Sequence, residues 1–425
     1  MAWRDTRGGA NLVVTSMEVG FIRLSFLWVD HIQVGPTPRE WGGHDCRCAN
    51  LSIKTMRESP MACPYMTEAQ RLPVQSMRTF VQFEIRPMAN LLRSGAIDHG
   101  QLLGLTQSVA EFGLPGVAVA REQGGLGVDW VTQGLLFEEL VRGSVELAEQ
   151  VLINTLAAVW LAKQPKVSPC YLAQLLEGRL LVGMAPGTEG LKVSLQAGGW
   201  QVDGECALAF SHPQADVLLC AVQHDIHHPD LVLLDRGKDQ VELRHRHQPV
   251  GRKHMYVQVT QVLLREERGL TGAQDPVSVG VDLDALVKLH QSVAWVAHGQ
   301  VALDASIKRA RHTRQFGQPL AAQHLVAQQF AELSTQLEAA RLMYKLGFEY
   351  VQAGQCIDSL ARRARLLAAD TAARIYRQVS RIDSCAGHEE APAVQPSNLL
   401  PLFGESLADD AQRIAGELPH DPAGV

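Results

Sequence analysis

The chain has 425 residues, 46% of them hydrophobic and 20% charged, and a net charge of −6 from 39 basic and 45 acidic side chains. At roughly 150 residues per domain this predicts two to four units and ample material for a core. No basic block or stripe stands out, which argues against a nucleic-acid partner. No uninterrupted apolar run approaches ~18 residues, and the longest mixed one, Val19–Val29, is broken by Arg23, so no membrane span is expected. Eight cysteines are too sparse for a disulfide scaffold. Only Cys46 and Cys48 lie close together, and the expectation is reduced thiols in a cytoplasmic protein. The N-terminus shows no clean signal-peptide pattern.

Residues 1–60 mix Gly, Arg, Trp, His and both close cysteines without sustained periodicity. They read as a poorly ordered extension or as sequence upstream of the true start, with Met61 and Met66 as alternative starts. Residues 61–180 read as an N-terminal helical domain. Thr67 with Gln70 forms a capping box before an amphipathic run through Phe80, Phe83 and Ile85, and Pro87 follows the run. A second helix covers Gln101 to Phe112 and stops at Gly113. After the glycine turn Arg121–Gly127, one long apolar helix is predicted from about Val131 to Ala162.

Residues 181–275 change character. Val217–Val222, Leu231–Leu234 and Tyr256–Leu264 are short, rich in Val and Leu, and separated by Gly, Pro and Asp, the pattern of a small central β domain. Residues 276–425 return to helix. Val326, Phe330, Leu333, Leu337, Ala340, Tyr344, Gly347 and Val351 recur at steps of 4 and 3, a stripe of more than six turns. Matching helices are predicted from about Leu283 to Arg311 and from Ser359 to Ile382, giving a C-terminal helical bundle. The fold class is therefore α+β, mostly α.

Several strings in this order resemble the acyl-CoA dehydrogenase family. Glu111-Phe112-Gly113-Leu114-Pro115-Gly116-Val117 leads into Glu122-Gln123-Gly124-Gly125-Leu126-Gly127, and then Phe137-Glu138-Glu139-Leu140 with Arg142-Gly143. Gly199-Trp200-Gln201-Val202-Asp203-Gly204 and Ala215-Asp216 are similar to the family's β domain. Arg314-Gln315-Phe316-Gly317-Gln318-Pro319-Leu320, with Gln323 and Glu338-Ala339-Ala340-Arg341, completes the set. The resemblance spans about residues 66–385. It implies a helical domain, a β domain and a four-helix bundle, with FAD between the last two. It also implies removal of two hydrogens across the Cα–Cβ bond of an acyl-CoA thioester, with electrons passing to an electron-transfer flavoprotein.

That chemistry needs a carboxylate held against a weakly acidic α-proton in a dry pocket. It needs hydrogen bonds for the enolate-like oxygen and an oriented flavin ring. Against the family pattern the site is depleted. The flavin-facing loop T-E-P-x-x-G-S-D becomes Met184–Leu191, in which Thr188 and Glu189 survive. W-I-T becomes Leu208-Ala209-Phe210. The pyrophosphate arginine is replaced by Thr313, with Arg314 and Arg311 as neighbours, each rotated on a helix by about 100° per residue. The Q-x-h-G-G-x-G turn, which meets a neighbouring subunit's flavin, becomes Arg381–Gly387. The nearest match to the catalytic glutamate is Glu405. Asp284, on the first bundle helix, is an alternative about one turn out of register.

The resemblance thus implies Thr188, Arg314, Phe316 and Gly317 as cofactor-binding residues and Glu405 as the catalytic residue. The bland readings are a solvated helix end for Arg314, core packing for Phe316, and for Glu405 an acid suited to a helix start. His224, His227 and His228 with Asp225 are metal-ligating by type, but they read as a solvated loop, and no metal is expected. His245 and His247 alternate with Arg244 and Arg246 as a polar strand or turn.

Three functional readings follow. The favoured one is a weak or non-catalytic subunit paired with an intact paralogue. The alternatives are a fully active acyl-CoA dehydrogenase using Glu405, and a non-redox acyl-CoA or lipid-binding protein. A homo-oligomer, or a hetero-oligomer with an acyl-CoA dehydrogenase paralogue, is expected.

Overall fold

The computed structural model describes residues 66–164, 169–185, 190–208, 215–223, 229–247, 253–264, 276–385 and 407–417, all within the unit Cys63–Val425. The predicted extension 1–60, Cys46, Cys48 and the histidines at 224, 227 and 228 lie outside the described residues. Helix α1 (Glu68–Phe80) opens as expected, with the Thr67 backbone N–H donating to Gln70 Oε1 at 3.1 Å. Pro87, however, does not end the run. A π-helical segment, Val81–Ile85, leads straight into α2 (Arg86–Ser94), with Pro87 in its first turn and Gly95 closing it in the left-handed region at φ 68°. Proline in a helix interior loses a hydrogen bond and crowds the preceding turn, and the wider π turn relieves that crowding. Val81 and Ile85, four residues apart, share the buried face, whereas Phe83 lies roughly 200° round the helix from Val81 and is 66% exposed, outside the core.

Asp98 caps α3 (His99–Ala110) by accepting from Gln101 N–H at 2.8 Å. In the glycine turn that follows, a Cβ on Gly125 would lie 2.2 Å from the Val119 carbonyl oxygen, so only glycine fits. The single helix predicted for residues 131–162 is two helices, α4 (Trp130–Gly143) and α5 (Val145–Ala162). Ser144 separates them in an extended conformation and caps α5 through Leu147 N–H at 3.3 Å. A glycine followed by a serine is a weak helix interior and a good helix start, so the break follows local chemistry. α5 is long and apolar enough to cross a membrane by composition, but 72% of it is buried inside the fold. Its apolar surface on all sides is what a core helix needs. A short helix, α6 (Pro169–Leu176), precedes the sheet.

The sheet has seven strands: β1 (Val182–Ala185), β2 (Leu191–Gln196), β3 (Gly199–Ala207), β4 (Val217–Gln223), β5 (Pro229–Asp235), β6 (Val241–His247) and β7 (Lys253–Leu264). Their order is β1-β4-β2-β3-β7-β6, with β5 on β4. Val202, Leu218, Val232, Val257 and Val259 form its buried face. The alternating Arg244–His247 string lies in β6, paired antiparallel with β7.

The bundle comprises α7 (Pro276–His312), α8 (His324–Gln352), α9 (Asp358–Cys385) and α10 (Leu407–Glu417). The predicted stripe is the buried face of α8, through Phe330, Leu333, Leu337, Ala340, Tyr344 and Gly347. Helices α7 and α9 run parallel. Gln291 meets Arg365 towards one end, at 3.1 Å, and Ser306 meets Asp383 towards the other, at 3.0 Å.

Candidate functional site

Between α7 and α8 the chain makes a small hairpin, β8 (Arg314–Gln315) paired with β9 (Gln318–Pro319). Thr313 anchors it on both sides. Its hydroxyl donates to the Arg309 carbonyl at 3.1 Å, and its carbonyl accepts from Leu320 N–H at 2.8 Å. The two turn residues, Phe316 and Gly317, have φ of 52° and 81°. Positive φ at both centres matches the twist of a two-residue hairpin. Glycine adopts it freely, whereas for phenylalanine it costs roughly 1–2 kcal/mol. No packing among the described residues compensates, because Phe316 is 95% exposed. It is therefore not core packing. Arg314 is exposed at the base of the same turn. A strained aromatic and a cation held out in solvent are the residue types that anchor interfaces.

The other expected contacts fare differently. Thr188, Glu189, Ala209, Phe210 and Glu405 lie outside the described residues. Leu208 is a buried member of the β-domain core, and it offers neither an aromatic wall nor a hydroxyl. Of the stretch expected to form a glycine turn, Arg381–Gly387, the described part Arg381–Cys385 is instead the last turn of α9, and Ala386 and Gly387 lie outside the described residues. A helix replaces the turn because both central glycines are absent and Asp383 has a partner set of its own. The Asp383 carboxylate is buried, accepts from Ser306 Oγ at 3.0 Å, and pairs with the Arg309 guanidinium. Leu208 thus offers a flavin of this chain no contact, and Asp383, where the resemblance implies a turn against a neighbouring subunit's flavin, holds an internal ion pair.

Asp284 on α7 is bound to Lys288 one turn on, and Lys288 also lies 3.9 Å from Asp358. Asp358 pairs in turn with Arg362, and buried Asp410 of α10 pairs with Arg365. Asp284 is thus the outer member of a charge network that joins α7, α9 and α10. Among the described residues no group of three or more His, Cys, Asp or Glu could hold a metal ion.

A second network, its pairing not marked by any motif, centres on Glu138. Glu138 accepts from Arg341 at 2.9 and 3.2 Å, from Arg142 at 2.7 Å and from the Tyr344 hydroxyl. Burial would raise its pKa, but the guanidiniums of Arg341 and Arg142 outweigh that and hold the carboxyl well below the usual range. Both strings, Phe137–Leu140 and Glu338–Arg341, are visible in the sequence. Only the fold pairs them.

A helical N-terminal part, a seven-stranded sheet and a helical bundle with an exposed Arg-Phe hairpin at one end define a flavoprotein-dehydrogenase type of architecture. The chain belongs to the acyl-CoA dehydrogenase family. Residues 67–178 match the acyl-CoA dehydrogenase N-terminal domain and residues 287–395 the C-terminal domain. Glutaryl-CoA dehydrogenase of Desulfococcus multivorans is 23% identical over 296 residues, covering 63% of this chain and 74% of that protein. Cyclohex-1-ene-1-carbonyl-CoA dehydrogenase of Syntrophus aciditrophicus (strain SB) is 22% identical over 358 residues, covering 78% and 84%. Among solved structures, a glutaryl-coenzyme A dehydrogenase in complex with glutaryl-CoA matches with a TM-score of 0.72 at 19% identity, covering 82% of this chain and 95% of that one. The FAD complex of PigA matches with a TM-score of 0.70 at 17% identity, covering 83% and 97%. At these identities the structural matches establish the fold.

Proposed function

We propose that this chain is a weakly catalytic or non-catalytic member of its family that pairs with an intact paralogue. In this reading the paralogue carries the FAD and the catalytic carboxylate, and oxidises an acyl-CoA thioester across Cα–Cβ. Electrons leave to an electron-transfer flavoprotein, and the assembly is cytoplasmic.

The observation that carries this reading is the contrast between two ends of the same site. The hairpin that faces outward keeps Phe316 at 95% exposure and tolerates backbone strain to do so. Two positions expected to face a flavin have turned inward, Leu208 of the β domain into its core and Asp383 at the end of α9 into an ion pair. An exposed, strained aromatic supports a role at a partner surface. The role of this chain is then to complete or hold the paralogue's site rather than to run its own.

Co-purification from the native host tests this. The isolated chain should be colourless, and the mixed complex yellow, with one FAD per paralogue chain. Stoichiometric FAD retained by the isolated chain through gel filtration would overturn the proposal.

A further inference from the structure

Helices α7 and α9 run parallel, and Ser306 and Asp383 meet within the last two turns of each. Helix C-termini favour cations. The last turns of α7 and the hairpin carry Arg309, Arg311 and Arg314, and the last turn of α9 begins at Arg381. Paired with Arg309 is a buried acid. The Asp383 side chain is 3% exposed, with one carboxylate oxygen accepting from Ser306 Oγ at 3.0 Å and the other paired with Arg309. Arg309 keeps 32% of its side chain in solvent. Its Nε is buried with no hydrogen-bond partner among the described residues.

A guanidinium fork beside a hydroxyl donor takes a carboxylate or a phosphate in the same geometry. The geometry points to a self-filled anion site, in which Asp383 supplies from within the anion that Arg309 and Ser306 would otherwise take from a phosphate-bearing ligand. This end of the chain is thereby closed to phosphate and pyrophosphate groups. Where the resemblance implies a glycine turn, α9 stays helical to Cys385 and carries Asp383 in its last turn. The inference deepens the subunit reading above, and it rests on that reading only for the consequence that the hairpin is left to a protein partner.

The experiment titrates the purified full chain with inorganic pyrophosphate and, separately, with FAD, by calorimetry. The wild type should show no saturable binding of either below about 1 mM, a level at which even a weak site of ~4 kcal/mol would register. Asp383→Asn removes the charge, keeps an acceptor for Ser306, and frees the guanidinium. It should bind pyrophosphate at least about tenfold more tightly than the wild type, the scale of one charge-assisted contact. Asp383→Asn combined with Arg309→Gln should lose that gain.

Pyrophosphate binding by Asp383→Asn no tighter than by the wild type would overturn the inference. So would wild-type binding of pyrophosphate or FAD that Arg309→Gln abolishes, and this second comparison decides the matter even if Asp383→Asn does not fold. Pairing with the paralogue is followed separately by light scattering. A gain of anion binding without pairing removes the subunit reading alone. Pairing without the gain removes the anion site alone.

Discussion

Glu138 of α4 and Arg341 of α8 lie 203 positions apart in the chain and meet through two charge-assisted hydrogen bonds, at 3.2 and 2.9 Å. Both side chains are only 4% exposed. The pair ties the N-terminal helices to the bundle, and Arg142 and Tyr344 fill the remaining acceptor positions of the carboxylate.

Arg341→Met should be severely destabilising. It leaves a buried carboxylate short of its main partner, and breaking one side of a buried pair costs roughly 3–5 kcal/mol. Urea denaturation should show this loss. Replacing both partners together, with Glu138→Leu and Arg341→Met, should cost less than Arg341→Met alone, because the buried carboxylate leaves with its main partner and Arg142 keeps Glu139 at 3.9 Å. A double variant less stable than the single one would contradict this account.

The chain should lose stability in acid in a window set by two histidines. Burial pushes His290 and His298 down to about 4 from an ordinary 6.5. His290 lies edge-on to the rings of Phe137 and Phe348, at 5.0 and 5.2 Å. Both stay neutral in the fold while the unfolded chain takes up protons. Their contribution is therefore full above pH 6.5 and is lost as pH falls towards 4, on the order of 3 kcal/mol each. Glu138 acts with the same sign at lower pH, since its depressed pKa is also lost as the medium acidifies. Melting temperatures from pH 7.5 to 4 should fall, and His290→Leu should flatten the slope between 6.5 and 4. An unchanged slope in that variant would show that His290 is not a source of the acid lability.

Two helical glycines should respond oppositely to alanine. A Cβ on Gly134 of α4 would meet Phe348 Cε2 at 2.5 Å, so α4 and α8 depend on that small residue for their approach. Gly134→Ala should cost about 1–3 kcal/mol through overpacking. Gly104 lies within α3, with nothing within 4 Å of the added atom. Gly104→Ala should gain about 0.5–1 kcal/mol from helix propensity. Thermal melts of the two variants should move in opposite directions.

Most helices were legible because periodicity records which face is buried. Phe330, Leu333, Leu337 and Ala340 announce α8 at once, and the Val-rich segments announce β4, β5 and β7. Periodicity does not record where an apolar run is interrupted, so the break at Ser144 was missed, although Gly143-Ser144 is a legible helix start. It also gave no sign that a π segment would carry α1 past Pro87. In the site, the hairpin was marked by Phe316-Gly317, but the exposure of Phe316 depends on the fold around it. The pairing of Asp383 with Arg309 was not legible, because residues 74 positions apart come together only when α7 and α9 lie side by side. A lost glycine pair marks a changed turn without saying that a helix replaces it.

The hairpin gives the sharpest test of the subunit reading, because its role in stability and its role in pairing have opposite signs. Phe316 is 95% exposed and sits at φ 52°. Phe316→Gly removes no buried contact and relieves a left-handed conformation that costs phenylalanine roughly 1–2 kcal/mol, partly offset by glycine's greater freedom in the unfolded chain. The isolated variant should melt at or slightly above the wild-type temperature. If Phe316 anchors the partner, the same change removes an aromatic side chain from the interface, a loss of roughly 2 kcal/mol or more at a binding hot spot. That corresponds to more than about tenfold weaker pairing with the paralogue. Glu405→Gln serves as the counterpart and should leave the activity of the mixed complex almost untouched, since the base belongs to the paralogue. Pairing affinity unchanged in Phe316→Gly, together with a hundredfold loss of activity in Glu405→Gln, would return the chain to the ranks of active enzymes.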